Sequence, residues 1–473
     1  MKVWQTRTVA RILQASLIGD PEVEVKGCVL DSRLVNGGEM FMAFAGQKVK
    51  GSSFIVKAWE RGAVLAVAEG SVFQRSSEVL KVPEGKALIL VDSVTGALQK
   101  LAQVRRQELG AKVIGITGSN GKTTTKDMIA AVLSQNYKVY KNIENQNNEL
   151  GLPLTILNAP EDTEMLVLEM GMRGLGEIQA LCKIAQPDTG VITNIGTTHM
   201  ELLETQDNIA QAKWELIDSL PTSGMSVLNA EDFYSNQKAQ IDRPSVRYYG
   251  LQGKFHVPDV QGQRLKPLGS LGTSFVVSYA QQGATVELPL PGEHNVLDAL
   301  AALTVGVIWG IPLEIGALGL AKLEISKMRL EALAGIYGSL LISDVYNANP
   351  ISMQASLKIL KERARGKPTL AILGEMYELG SASQAGHQEV GAAVAKLGIS
   401  KLITVGKLAE DIARGARNGG FPGQYLETCA TREEAILKAT EALEQLGLGT
   451  WVLIKGSRGM KMEEITARLR DNA

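Results

Sequence analysis

The chain has 473 residues, too many for one hydrophobic core, so two or three domains are expected. Lys and Arg number 49 against 50 Asp and Glu, which leaves no basic excess for a nucleic-acid partner and no acidic tail. Cys28, Cys182 and Cys429 are too scattered for a metal site or a disulfide framework, no apolar run reaches bilayer length, and no signal-type core opens the chain, so a cytoplasmic protein without a transmembrane segment is expected.

Residues 1–108 read as a small α/β domain. Thr8 to Leu17 has helical spacing, Val23 to Leu30 reads as a strand, and Asp31-Ser32-Arg33 follows. Met40 to Ala45 is a short apolar segment ending at Gly46. Phe54 to Arg61 reads as a helix, Val64 to Ala68 and Ala87 to Val91 as strands, and Val94 to Leu109 as a helix. No catalytic signature stands here, and Asp31-Ser32-Arg33 suits a turn as well as a binding site.

Residues 109–326 alternate strand with helix and hold the most informative run, Gly115-Ile116-Thr117-Gly118-Ser119-Asn120-Gly121-Lys122-Thr123-Thr124-Thr125. Lys112 to Thr117 is apolar and β-branched, which predicts a buried strand, and Met128, Ile129, Val132 and Leu133 share one helical face. The order strand, glycine loop, helix gathers backbone N–H groups and the positive end of a helix around one point, which suits a phosphate. Lys122 supplies a point charge and Thr123 a hydroxyl for Mg²⁺. The spacing is not a strict Walker A, since Ile116 stands where that pattern has glycine.

Met165 to Met170 is a second apolar run with Glu169 near its end, and Val191 to Ile195 reads as a strand with His199 just beyond it. Ligands in open α/β sheets sit outside the carboxyl ends of strands, which places Glu169 and His199 near the phosphate loop. A buried carboxylate is rare unless paired or metal-bound, so Glu169 is a magnesium candidate, with a solvated strand end as the alternative. Asn142, Asn145, Asn147 and Asn148 suit either ligand contacts or a turn-rich surface loop. Lys213, in Ala210-Gln211-Ala212-Lys213-Trp214-Glu215, reads locally as a solvated helix lysine. Ser274 to Ala280 and Ala284 to Leu290 predict an edge hairpin. Pro291-Gly292-Glu293-His294-Asn295 leads into a helix from Val296 to Trp309.

Residues 327–473 alternate again and predict a second doubly wound domain. Leu340 to Val345, Thr369 to Leu373, Lys401 to Val405 and Thr450 to Ile454 read as strands, Ser352 to Arg363 and Arg432 to Leu446 as helices. Asp344-Val345-Tyr346-Asn347-Ala348-Asn349-Pro350 gathers polar groups at a strand end, which fits a small-molecule site. Lys455-Gly456-Ser457-Arg458-Gly459 follows the last strand in the same way.

Taken in this order, these stretches resemble the Mur ligases, the ATP-dependent amide-forming enzymes of peptidoglycan assembly, over essentially the whole chain. Thr117-Gly118-Ser119-Asn120-Gly121-Lys122-Thr123-Thr124 is similar to their ATP loop, and Pro291 to Asn295 to the segment before their nucleotide-facing helix. Asp344 to Met353 resembles the signature of the branch that adds D-alanyl-D-alanine. The His-Thr-Pro and Asp-Asn-Pro-Arg sequences of the preceding branch, which adds the third amino acid, are absent. Asp31-Ser32-Arg33 and Gly38 to Gly46 resemble the UDP-binding region of both branches.

The resemblance implies an α/β fold of three domains: a small N-terminal UDP-sugar domain at 1–108, a central P-loop ATPase-like domain with a mostly parallel sheet at 109–326, and a C-terminal Rossmann-like domain at 327–473. It implies hinges near residues 109 and 326, a monomer, and a ligase that joins D-alanyl-D-alanine to UDP-N-acetylmuramoyl-tripeptide with ATP and Mg²⁺. Gly118, Ser119, Asn120, Gly121, Lys122, Thr123 and Thr124, with Asn295, Arg329 and Asp344, would then bind ATP. Thr123 and Glu169 would hold its magnesium, and His199 a second ion together with Lys213, which matches the lysine carbamylated in this family. Lys122, Glu169, His199 and Lys213 would carry catalysis, and Ser32, Arg33, Gly46, Asn147, Asn148, Tyr346, Asn347 and Asn349 would face the substrates.

Two departures stand out: Lys50-Gly51-Ser52 where the family often has Asp-Gly-His, and Asp298 where it often has asparagine. The competing readings are another Mur-type ligase, such as folylpolyglutamate synthase, and a nucleotide-binding regulatory protein. The first lacks the Asp344 to Met353 signature, and the second has no use for Lys122, Glu169, His199 and Lys213 together.

Overall fold

The computed structural model describes residues 3–44, 51–71, 81–143, 146–196, 200–239, 245–269, 272–324 and 328–471. Three large sheets organise a three-domain α/β chain. By packing it divides into two compact units: Met1–Thr117, Asn136–Val191 and Trp214–Ser226 form one, and Gly118–Gln135, Ile192–Lys213 and Val227–Ala473 the other.

The first sheet has five strands, β1 (Ser16–Gly19), β2 (Gly27–Val29), β3 (Glu39–Ala43), β4 (Leu65–Glu69) and β5 (Ala87–Val91), in the order β1-β5-β4-β3-β2. Only β1 runs antiparallel to its neighbour. Its core joins Phe41, Ala43, Ala66, Ala68 and Leu88 to Ile55, Ala58 and Trp59 of the helix Ile55–Glu60. The helix expected from Thr8 to Leu17 is instead Thr6–Leu13, because Gln14 turns left-handed at φ 54° and the chain then enters β1. Helix α1 (Val94–Leu109) follows, capped by the Ser93 hydroxyl and ended at left-handed Gly110.

The second sheet has nine strands, β6 (Lys112–Thr117), β7 (Val139–Lys141), β8 (Met165–Glu169), β9 (Thr189–Ile192), β10 (Met225–Asn229), β11 (Val246–Gly250), β12 (Val260–Leu268), β13 (Gly272–Tyr279) and β14 (Gln282–Leu288). Their order is β14-β13-β12-β11-β10-β9-β6-β8-β7. Strands β6, β7 and β8 are parallel, while β12, β13 and β14 form the antiparallel edge that contains the expected hairpin. The strand expected over Val191 to Ile195 lies earlier, at β9. Helices α2 (Lys122–Leu133), α3 (Gly151–Asn158), α4 (Gln206–Asp218) and α5 (Glu293–Ile308) belong to this stretch. Gly306 lets α5 approach α2, since a Cβ there would lie 2.6 Å from a Val132 methyl carbon.

The third sheet has six strands, β15 (Glu331–Gly335), β16 (Ser339–Asp344), β17 (Thr369–Gly374), β18 (Lys401–Val405), β19 (Leu426–Cys429) and β20 (Trp451–Lys455), in the order β15-β16-β20-β17-β18-β19. All neighbours run parallel except β15, which no periodicity announced. Helix α6 (Pro350–Ala364) starts where a helix can start cheaply: Asn349 and Ser352 form a reciprocal cap, and Pro350 occupies the first helical position. Leu341, Leu370, Ile372, Ile403, Val452 and Ile454 form the core of this sheet with Ala435, Ala439 and Leu443.

Candidate active site

The phosphate loop follows β6 and ends at Gly121, which caps α2 with φ 80°. Two of its glycines are required by what lies against them. A Cβ on Gly118 would sit 1.8 Å from Thr193 Oγ1, and one on Gly121 would sit 2.4 Å from Asp298 Oδ1. The segment after β9 holds the loop from behind. The Thr193 hydroxyl donates to Asn120 O at 2.6 Å, Asn194 Nδ2 donates to the same oxygen at 3.0 Å, and Asn194 Oδ1 accepts from Asn120 N at 3.1 Å. The Ser119 hydroxyl accepts from Gly196 N at 2.8 Å. These contacts fix the loop backbone, so its N–H groups are set in place before a ligand arrives.

Lys122 Nζ donates to Gly118 O at 2.7 Å and Ser119 O at 3.3 Å, so the ammonium lies over its own loop, where a phosphate charge would be met. Thr123 is buried and its hydroxyl accepts from Arg329 Nη2 at 2.9 Å. The Arg329 guanidinium stacks 4.1 Å from the centre of the Tyr346 ring, and Nε has no hydrogen-bond partner among the described residues. Asn349 Nδ2 donates to Asn120 Oδ1 at 2.5 Å. The structure thus brings Asn120, Lys122, Thr123, Arg329, Tyr346 and Asn349 together.

Asp344 closes β16 and faces Lys455, whose Nζ lies 2.5 Å from Oδ2, while the Ser356 hydroxyl donates to the same oxygen at 2.8 Å. Burial alone would raise this carboxyl, but Lys455, Ser356 and Arg329 hold it below the usual carboxylate range. Asn347 is exposed, and its Oδ1 accepts from Ala348 N. Asn295, at the start of α5, is buried and donates to Pro291 O at 2.6 Å.

Lys213 corrects its local reading: it is 1% exposed on α4, not solvated. Burial, and then the nearby positive charge of Lys122, push its ammonium well below the ordinary lysine range. Asp298, on α5 behind the loop, accepts from the Thr125 hydroxyl at 3.0 Å, and burial pushes its carboxyl up to about 8.

Glu169 ends β8 in register with Ile116 of β6, and is 3% exposed. Its Oε1 accepts from Asn147 Nδ2 at 2.8 Å, and Asn142 exchanges two hydrogen bonds with its backbone. Two of the four asparagines therefore converge on Glu169. Asn148 instead holds the turn into α3 by accepting from Leu150 N and Gly151 N. In the first sheet's domain, Ser32 is buried, and Arg33 lies on the surface beside Asp31, whose side chain also accepts from Arg33 N. His199, Gly46 and Asn145 lie outside the described residues.

Thr193 and Ser356 carried no signal as site residues, and Asn194 only its position just past a strand end. Asp298 stood out only as a departure from the family pattern, and Lys455 only as part of the polar run after the last strand. Among the described residues no three His, Cys, Asp or Glu side chains cluster as a metal site, and no helix is long and apolar enough to cross a membrane.

Three family models match in chain order: the Mur ligase family catalytic domain over residues 24–106, the Mur ligase middle domain over 116–306, and the Mur ligase glutamate ligase domain over 328–458. The chain is 37% identical to the UDP-N-acetylmuramoyl-tripeptide–D-alanyl-D-alanine ligase of Bacillus subtilis, covering 98% of this chain and 97% of that one. The Escherichia coli ligase of the same name is 29% identical, with the same coverage of each chain. Among solved structures, MurF from Acinetobacter baumannii superposes with a TM-score of 0.87 at 28% identity, covering 99% of this chain and 98% of that one. MurF ligase from Thermotoga maritima, in complex with ADP, does so with a TM-score of 0.78 at 27% identity, covering 94% and 97%. With the loop geometry and the full-length matches in agreement, this chain belongs to the Mur ligase family.

Proposed function

We propose that this chain joins D-alanyl-D-alanine to UDP-N-acetylmuramoyl-tripeptide at the expense of ATP, the last amino-acid addition in making a peptidoglycan precursor. One observation supports the reading most: the segment that resembles the D-alanyl-D-alanine branch, beginning at Asp344, is bonded to the phosphate loop through Asn349 and Asn120, with Arg329 on Thr123 beside it.

The reaction has two steps. The tripeptide's terminal carboxylate takes the γ-phosphoryl group of ATP, releasing ADP. The dipeptide amine then attacks the acyl carbon, loses a proton, and expels phosphate to leave an amide. The first step brings two anions together, so positive charge and N–H groups must lie where charge builds up. Lys122 and the loop N–H groups offer both, and Arg329 adds a fork-shaped cation. Tyr346, Asn347 and Asn349 would orient the incoming dipeptide, and Asn295 and Asp344 the nucleoside.

Mg²⁺ would neutralise phosphate charge when bound. The donors fit it: Thr123 offers a hydroxyl and Glu169 a carboxylate, both hard oxygens, and Mg²⁺ usually takes only one or two protein carboxylates besides phosphate and water. His199 and a carbamate on Lys213 would hold a second ion. Ser32, Arg33 and Gly46 would meet the UDP end, and Asn147 and Asn148 the peptide. In this reading residues 1–108 hold the UDP-sugar, 109–326 ATP and 327–473 the dipeptide, in a cytoplasmic monomer that serves cell-wall growth, cell shape and division.

The test is phosphate release with ATP, D-alanyl-D-alanine, and UDP-tripeptides carrying either diaminopimelate or lysine third. Release should require both peptides and yield the pentapeptide by mass. Phosphate release that ignores the dipeptide, or another amino substrate used in its place, would reject the reading.

A further inference from the structure

We propose that Lys455 is a positioning residue for the phosphate loop, acting through residues 344–349; this rests on the reading that the loop and that segment serve one bound ATP. Lys455 ends β20, between β16 and β17, with Asp344 as its register partner. Its side chain is 2% exposed. Nζ donates to Asp344 Oδ2 at 2.5 Å and to Asn347 O at 3.0 Å. Ser356, on α6, donates to the same Asp344 oxygen. One ammonium thus ties together a strand end and the turn that leaves it, and through Asp344 the helix that follows.

The other side of this segment is equally fixed. Val345 N and Tyr346 N both donate to Met328 O, at 3.1 and 3.2 Å, so the residue before Arg329 is tied to it. The Tyr346 ring supports the Arg329 guanidinium, and Asn349 caps α6 while reaching Asn120. Two side-chain bonds to the loop, Arg329 to Thr123 and Asn349 to Asn120, therefore start from, or beside, a piece of chain whose course Lys455 sets.

A buried ion pair usually adds little stability over an apolar pair of the same volume. What an ammonium supplies here is a fixed place for two oxygens, the Asp344 carboxylate and the Asn347 carbonyl. A methyl-ended side chain would fill the same space and hold neither.

The experiment is a double-mutant cycle of Lys455→Met and Asn120→Ala, read as the Kd of a non-hydrolysable ATP analogue by calorimetry. Each change alone should weaken binding roughly fivefold or more, and the pair should bind no more than about twofold worse than the weaker single variant, because both act through one connection. Lys455→Met leaves Asp344 a lone buried carboxylate. If that variant does not fold, Lys455→Met combined with Asp344→Asn, which leaves no lone charge, takes its place in the cycle. Wild-type binding by Lys455→Met, or a double variant whose loss is the product of the single losses, overturns the proposal. No peptide substrate is present, so a chain that shows this coupling yet fails to make the pentapeptide refutes the ligase reading alone.

Discussion

Arg329 donates from Nη2 to the Thr123 hydroxyl at 2.9 Å, joining residues 206 positions apart in sequence. The same guanidinium stacks on Tyr346 and keeps Nε without a hydrogen-bond partner among the described residues. Lysine would keep the charge but lose both the planar fork and the stack. Arg329→Lys should therefore lower kcat/KM for ATP by about 10²-fold, the usual loss when one aimed donor is removed. Steady-state kinetics within a few-fold of wild type would take Arg329 out of the site.

Lys122→Ala should nearly abolish turnover. Its ammonium lies 2.7 Å from Gly118 O, over the loop where β/γ-phosphate charge would be met. Losing such a donor costs about 3 kcal/mol or more in the barrier. Phosphate release by the variant close to the wild-type rate would show that the loop does not serve ATP.

What the sequence revealed was local, and what it hid was long-range. Strand β6, the glycine loop and α2 could be read because a β-branched run, two glycines and a helical stripe lie side by side. The partner of Asp298 could not be read, because Thr125 is 173 residues away, nor that of Lys455, which is 111 from Asp344. Lys213 misled because helical neighbours say nothing about what covers a helix from outside. The first helix ended early for a reason composition does not carry, a left-handed Gln14.

The helix that leads to residue 109, where a hinge is expected from the sequence, is braced along its last turns. Arg105 Nη2 donates to Ala159 O at 2.8 Å and Arg106 Nε to Ala185 O at 2.7 Å. Asn158 completes the edge strand β2 as a neighbouring strand would, accepting from Cys28 N at 3.0 Å and donating to Cys28 O at 2.9 Å. Asn158→Ala leaves both backbone groups unmatched, which should cost about 1–2 kcal/mol. The first thermal transition should move down while KM for ATP holds. An unchanged transition would mean that the Asn158 bonds contribute nothing to stability.

Asp298 should make stability fall with rising pH. Burial raises its carboxyl from 3.8 to about 8 in the folded chain. Below the unfolded value both states hold the proton and there is no penalty. Between the two values only the unfolded chain releases it, so stability drops with each unit, by at most about 1.4 kcal/mol. Above the folded value the loss levels off. Asp298→Asn mimics the neutral acid and removes this slope. Its melting temperature should match wild type near pH 4, exceed it increasingly toward pH 8, and stay ahead by a constant margin beyond. A difference that does not vary with pH would mean that Asp298 titrates normally.

Lys213 is the boldest case, because burial leaves a lysine that is hard to keep charged. It sits on α4 at 1% exposure, and Lys122 adds like charge nearby. An ordinary lysine is neutral in only about one molecule in three thousand at pH 7. Lowering its pKa enlarges the neutral fraction, and the neutral amine is the form that adds CO₂, giving a carbamate and releasing one proton. The product is an anion with two oxygens beside a cation, so the repulsion with Lys122 becomes attraction. Since formation releases a proton, acid and CO₂ removal should both strip it. Activity should fall in degassed buffer at mildly acidic pH and return with bicarbonate, and mass spectrometry of gently handled protein should show the added CO₂. Lys213→Ala should be nearly inactive and regain part of its activity with a short carboxylic acid. Full activity in that variant would make Lys213 a packing residue, and a bicarbonate-independent wild type would rule the carbamate out.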